Sequence, residues 1–210
     1  MYPAPTKIIC VGRNYALHAK ELNNEIPPEP IFFLKPPSAV IHDGQNIVLP
    51  AGSGRVDYEG ELGVVIADRI SRVNERDAME HVLGYVVCND VTARELQDRA
   101  KRSGHPWSVC KGFDTFFPLS AMRMKKDVPD PHSLDIELRI NGVKRQSGNT
   151  ADMIFPVERL IADASAVMTL ERGDIIATGT PSGISELHPG DVVEITISSV
   201  GSLRNGVVSG

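Results

Sequence analysis

The chain has 210 residues, 41% of them hydrophobic and 23% charged, and a formal net charge of −5. That length suits one domain with a full core, and the composition is that of an ordinary soluble globular protein. The acidic balance argues against a nucleic-acid-binding surface, and no apolar stretch approaches membrane-spanning length.

In chain order, KIICVG (7–12) reads as a first short strand and NYALHAKEL (14–22) as a short helix with Asn14 as N-cap. NNEIPPEP (23–30) is too rich in turn formers for regular structure and is a loop. IFFLK (31–35), ELGVVIA (61–67) and LGYVVC (83–88) are apolar strands, and NERDAMEHV (74–82) is a helix between the last two. TARELQDRAKR (92–102) is a helix, with Thr92 and Glu95 at capping-box spacing.

LDIELRI alternates, with Leu134, Ile136, Leu138 and Ile140 on one face, and Asn141-Gly142 then predicts a type I′ hairpin returning through VKRQ. PVERLIADASAVM (156–168) is a helix, and VVEITI (192–197) a further alternating strand. Strands open and close this order without βαβ alternation, so the fold class is α+β with a mixed or antiparallel sheet. The three cysteines, Cys10, Cys88 and Cys110, have no C-x-x-C spacing. They fit core positions in a reducing, cytoplasmic compartment, and the first residues show no secretion signal.

The chemistry centres on DYEGELGVVIA. Glu59 and Glu61 are two apart on a strand and share a face. The run behind them does not alternate, so both of its faces are covered, and two buried like charges require a positive partner. Asp90 stands at the end of the next strand. If Thr92 caps the following helix, Asp90 is free to be a ligand; the alternative is that Asp90 is itself the cap. Three hard oxygen donors suit Mg²⁺ or Mn²⁺, and Ca²⁺ can occupy such a site, whereas no Cys/His pattern offers zinc its softer ligands.

VGRNYALHAKEL, FLKP, DYEGELGVVI, NDVTARELQ, WSVCKGFDTFFPLS and IIATGTPSG occur in an order that resembles the fumarylacetoacetate hydrolase superfamily. The likeness is greatest to its short branch of acylpyruvate hydrolases and oxaloacetate decarboxylases. The resemblance implies a mixed β-roll with peripheral helices over a single catalytic domain, 1–210, working as a homodimer. It also implies metal ligation by Glu59, Glu61 and Asp90, which decides Asp90 in favour of ligand.

By the same resemblance, Lys111 lies close to the metal, and Arg94 and Gln97, three apart on one helical face, reach the site. The glycine-rich TGTPSG loop, with Gly179 and Thr180, would meet a small carboxylate. Arg13 is a further candidate for that anion. His18 and Glu21 share a helical face and would form the pair that activates a water, on a lid spanning about 14–30. The implied reaction is hydrolysis of a C–C bond in a 2,4-diketo acid. Oxaloacetate decarboxylation and isomerisation of a hydroxy-diene dioate are the alternatives within the family, and a metal-stabilised binding protein is the alternative outside enzymes.

Overall fold

A computed structural model describes residues 4–22 and 25–210. The strands in chain order are β1 (Ile8–Gly12), β2 (Ile31–Lys35), β3 (Val40–His42), β4 (Ile47–Leu49), β5 (Val56–Asp57), β6 (Gly60–Ile66), β7 (Val82–Asn89), β8 (Thr92–Ala93), β9 (Phe117–Leu119) and β10 (Arg123–Met124). They continue with β11 (Asp135–Ile140), β12 (Val143–Asn149), β13 (Ile175–Ala177), β14 (Val192–Ile197) and β15 (Gly201–Ser209). The helices are α1 (Ala16–Glu21), α2 (Glu75–Ala78), α3 (Arg94–Ser103), α4 (Ser108–Lys111) and α5 (Val157–Val167).

An eight-stranded sheet runs β2-β1-β13-β6-β7-β9-β3, with β10 paired to β7. It is mixed: β1 runs parallel to β13 and β3 parallel to β9, while β6 and β7 are antiparallel. A five-stranded sheet runs β12-β11-β14-β15-β4, and β5 pairs with β8 alone. The expected α+β class with a mixed β-roll is the one observed.

Strand periodicity divides the interior in two. On β6, Leu62, Val64 and Ile66 join Leu138, Ile195 and Leu203 of the second sheet in the larger core. The opposite face carries Val65, which packs with Ile8, Cys10, Val86, Cys88, Phe117 and Ile175 inside the curl of the first sheet. Both faces of β6 are thus buried, as its unbroken apolar run requires. Gly60 lies where the second sheet presses closest: a Cβ there would sit 3.2 Å from both Ile195 Cγ2 and Leu138 Cδ1.

The Asn141-Gly142 turn has φ of 52° and 78°, the left-handed values of a type I′ hairpin, and β12 returns from it as expected. Two capping expectations fail. Helix α1 begins after Tyr15; Asn14 instead donates to Phe155 O and Thr178 O and accepts from Phe155 N, tying three segments together. Helix α3 begins at Arg94, because Thr92 and Ala93 pair with β5 as a short strand. Thr92 Oγ1 turns back to Asp90 O, and Glu95 accepts from Arg55 N across the fold. A two-residue β-bridge outcompetes the capping box there. Among the described residues, no helix is long and apolar enough to cross a membrane.

Candidate metal centre and active site

The antiparallel pairing of β6 with β7 brings the carboxylates together. Gly60 opposes Asn89 and Glu61 opposes Cys88. Asp90, one residue beyond the end of β7, then donates its N–H to Glu59 O at 2.9 Å. Asn89 Oδ1 accepts from Glu59 N at 2.9 Å and fixes the approach to β6. Glu59, Glu61 and Asp90 are all buried, and one oxygen from each falls within 4.8 Å of the others.

Buried carboxylates need compensating charge. Lys111, the last residue of α4, donates to Asp90 Oδ2 at 2.6 Å and Glu59 Oε2 at 3.0 Å. Arg94, the first residue of α3, donates to Glu59 Oε1 at 2.6 Å, to Asp57 Oδ2 at 2.9 Å and to Gln97 Oε1 at 2.7 Å. Burial pushes the Glu59 carboxyl up, but Lys111 and Arg94 outweigh it and hold Glu59 below the usual carboxylate range. Burial likewise disfavours the charged Lys111, and Asp90 and Glu59 outweigh it, raising its pKa.

Glu61 has the opposite balance. Burial raises its pKa well above the ordinary range, and Asp90 and Glu59 add to the rise. Its support is the Gly179 N–H, which donates to Oε2 at 2.9 Å. Behind the cluster, Lys35 Nζ lies 2.9 Å from Asp90 Oδ1. Its three protons, however, go to the carbonyls of Val91, Lys111 and Phe116. Asp90 Oδ1 is left buried without a hydrogen-bond donor among the described residues. Asp90 Oδ1, met by the Lys35 charge but by no hydrogen-bond donor, and Glu61, crowded by like charges, fit a divalent cation held by Glu59, Glu61 and Asp90.

A narrow cleft opens over this cluster, lined also by Arg13, His18, Gln97, Lys101, Trp107, Lys111 and Thr180. His18 is buried, and its Nδ1 lies 3.3 Å from Glu21 Oε2. Glu21 is held in turn by the Gly183 N–H at 3.0 Å. The spacing on α1 therefore produces a real pair, anchored to the glycine-rich loop.

The loop also supports the carboxylates. Gly179 gives its N–H to Glu61, and Thr180 gives its hydroxyl proton to Gly60 O at 2.8 Å while accepting from Gln146 Nε2. Both positions brace the carboxylate strand. Arg94 likewise gives three of its five N–H groups to Asp57, Glu59 and Gln97, so it positions its neighbours. Gln97 presents its oxygen to Arg94, which leaves its NH₂ group for the cleft. Asn23 and Asn24 of the expected lid loop lie outside the described residues; residues 25–30 carry no helix or strand.

Sequence reasoning missed Lys35, Asp57 and Lys101. Lys35 had a signal, a lysine closing the apolar run IFFLK. Asp57 sits in the same motif as the glutamates, but its double pairing with Arg55 and Arg94 is a matter of tertiary geometry.

A curled mixed sheet with three carboxylates and three cations buried at its end defines an enzyme-like scaffold whose carboxylates could hold a divalent ion. The chain belongs to the fumarylacetoacetate hydrolase family: residues 7–208 match the fumarylacetoacetate (FAA) hydrolase C-terminal domain. It is 46% identical to the mitochondrial oxaloacetate tautomerase FAHD1 of Arabidopsis thaliana, over 97% of this chain and 92% of that protein. It superposes on fumarylpyruvate hydrolase from Pseudomonas aeruginosa, crystallised with Mn²⁺ and pyruvate, at a TM-score of 0.95 and 33% identity, covering 100% of this chain and 91% of that one. It also superposes on 2-hydroxyhepta-2,4-diene-1,7-dioate isomerase from Mycobacterium marinum at 0.87 and 39%, covering 98% and 75%.

Proposed function

We propose that the chain is a divalent-metal-dependent hydrolase that cleaves the C–C bond of acylpyruvates such as acetylpyruvate or fumarylpyruvate. The observation that carries this reading is that His18, paired with Glu21, lines the same cleft as Glu59, Glu61, Asp90 and Lys111. The Mn²⁺ and pyruvate in the Pseudomonas relative support the metal and the product class. A Mg²⁺ or Mn²⁺ ion bound by the three carboxylates would supply Lewis acidity toward the 2-oxo acid end of the substrate.

The chain's own residues do the rest. With its proton on Nδ1 directed at Glu21, His18 carries its lone pair on Nε2, the atom that takes a proton from water. The water oxygen bonds to the acyl carbonyl carbon, and the adjacent C–C bond breaks with its electron pair left on the pyruvyl fragment. Protonation of that carbon yields pyruvate, and the acyl part leaves as a free acid. Glu21 stabilises the transient imidazolium, and the NH₂ of Gln97 is available to the substrate. Helix α1, which carries His18 and Glu21, acts as the lid that excludes bulk water.

A second reading is keto–enol tautomerisation of oxaloacetate, favoured by the 46% identity to the Arabidopsis tautomerase. It uses the same histidine as a proton carrier without water attack. Absorbance of enolised acetylpyruvate, followed with Mn²⁺ and then with chelator, tests the first reading when products are identified. Metal-dependent release of pyruvate and acetate supports it. Loss of enol absorbance from oxaloacetate without any acylpyruvate cleavage replaces it with the second. His18→Ala is expected to lower kcat by about 10²–10⁴-fold with Mn²⁺ binding retained; loss of both would remove the role assigned to His18.

A further inference from the structure

Of the cations lining the cleft, Arg94 and Lys111 are committed to the buried carboxylates. Arg13 and Lys101 line the same cleft, and neither forms an ion pair among the described residues. Their placement is built. Lys111 Nζ lies 4.7 Å from the centroid of the Phe33 ring. Phe33 packs on Trp107 with centroids 5.2 Å apart, and Lys101 Nζ lies 5.7 Å from the Trp107 centroid.

Two tilted rings thus separate an inner ammonium at the carboxylates from an outer one at the mouth. Trp107 packs over Gly12 at the end of β1, in ordinary contact with where a Cβ would stand. The next residue, Arg13, holds φ at 61°, a left-handed value costly for a residue with a side chain. Lys101 is half-buried, and burial, then Arg94 and Arg13, lower its pKa, with Asp98 and Glu59 opposing. Two partly desolvated cations facing one cleft favour an anion between them.

We propose that Arg13 and Lys101 form an anion subsite for a second carboxylate on the acyl side of the substrate, so that the preferred substrates are dicarboxylates. The apolar wall of Phe33 and Trp107 would take the short, flat carbon segment between the two charged ends. This deepens the hydrolase reading and rests on it for the reaction, though not for the binding.

The test separates the two. Calorimetry on the Mn²⁺-loaded full chain compares 2-oxoglutarate, which has a distal carboxylate, with 2-oxobutyrate, which has none. Wild type is expected to prefer 2-oxoglutarate by about tenfold. Lys101→Met should abolish most of that preference, and Lys101→Arg should keep it. In kinetics, the ratio of kcat/KM for fumarylpyruvate to that for acetylpyruvate should fall by about tenfold in Lys101→Met. Loss of the binding preference in a protein that cleaves neither acylpyruvate supports the subsite and removes the hydrolase reading. Cleavage of fumarylpyruvate with both ratios unchanged in Lys101→Met overturns the subsite and leaves the hydrolase reading standing.

Discussion

The backbone N–H of Gly179 donates to Glu61 Oε2 at 2.9 Å across 118 residues of sequence. That contact depends on a backbone only glycine adopts easily. Gly179 has φ of +98°, and a Cβ there would fall 2.8 Å from Asn14 Cβ. Asn14 cannot yield readily, because its amide bridges Phe155 and Thr178. Gly179→Ala is expected to destabilise the fold by about 1–3 kcal/mol and to weaken Mn²⁺ binding, read by urea denaturation and by calorimetry. Wild-type values for both would refute the bracing role.

Glu59→Gln changes charge with little change in volume. It removes a ligand oxygen's charge while Arg94 keeps Asp57 as a partner. Mn²⁺ affinity should fall by more than about tenfold, measured by titration with the ion's paramagnetic resonance signal. An unchanged affinity would take Glu59 out of the metal site.

Lys35 is a buried structural cation. It holds three backbone carbonyls and faces Asp90. Lys35→Met fills a similar volume but leaves those carbonyls unpaired and Asp90 with one cation fewer. A loss of about 3–5 kcal/mol is expected by chemical denaturation. A loss under about 1 kcal/mol would mean the ammonium is not structurally required.

Acid stability should report on Asp174. Its Oδ1 accepts from Thr6 N, Thr6 Oγ1 and Lys7 N, and its Oδ2 from Glu171 N and Lys7 Nζ. Burial disfavours the charge, but these donors together lower the carboxyl below its ordinary value. A depressed carboxyl stabilises the fold above its unfolded pKa, and that contribution is lost as pH falls through the folded value. Asp174→Asn points a donor at donors and should cost about 1–3 kcal/mol at neutral pH. The gap to wild type should narrow below about pH 4. A gap that stays constant down to pH 3 would contradict the assignment.

Much of the strand pattern was legible because burial leaves its period in the sequence. Ile136, Leu138 and Ile140 are buried as their alternation requires, and Asn141-Gly142 turns the chain with the left-handed backbone those residues tolerate. The three carboxylates were readable for a related reason: charges entering a doubly covered strand demand a cause. The capping arguments failed because Asn14 bonds to Phe155 and Thr178 far along the chain, while Thr92 pairs its backbone with Asp57 and turns its hydroxyl back to Asp90 O. Thr180, Gly179 and Arg94 lie at the expected place, and each already bonds to the carboxylate cluster or its strand. Spacing shows that a donor is nearby; it does not show which acceptor already holds it.

The parallel seam between β1 and β13 pairs Ile8 with Ile175 and Cys10 with Ala177. Such pairings give the fold a high contact order, and folding on the slower scale of non-local β proteins follows. During synthesis, Glu59, Glu61 and Asp90 emerge long before Gly179 and Thr180, which brace their strand. A nascent chain therefore carries the acidic motif for most of its elongation without the amide that orients Glu61, and the proposed cation site is complete only when the seam closes. Metal uptake in a refolding experiment becomes a clock for that last event.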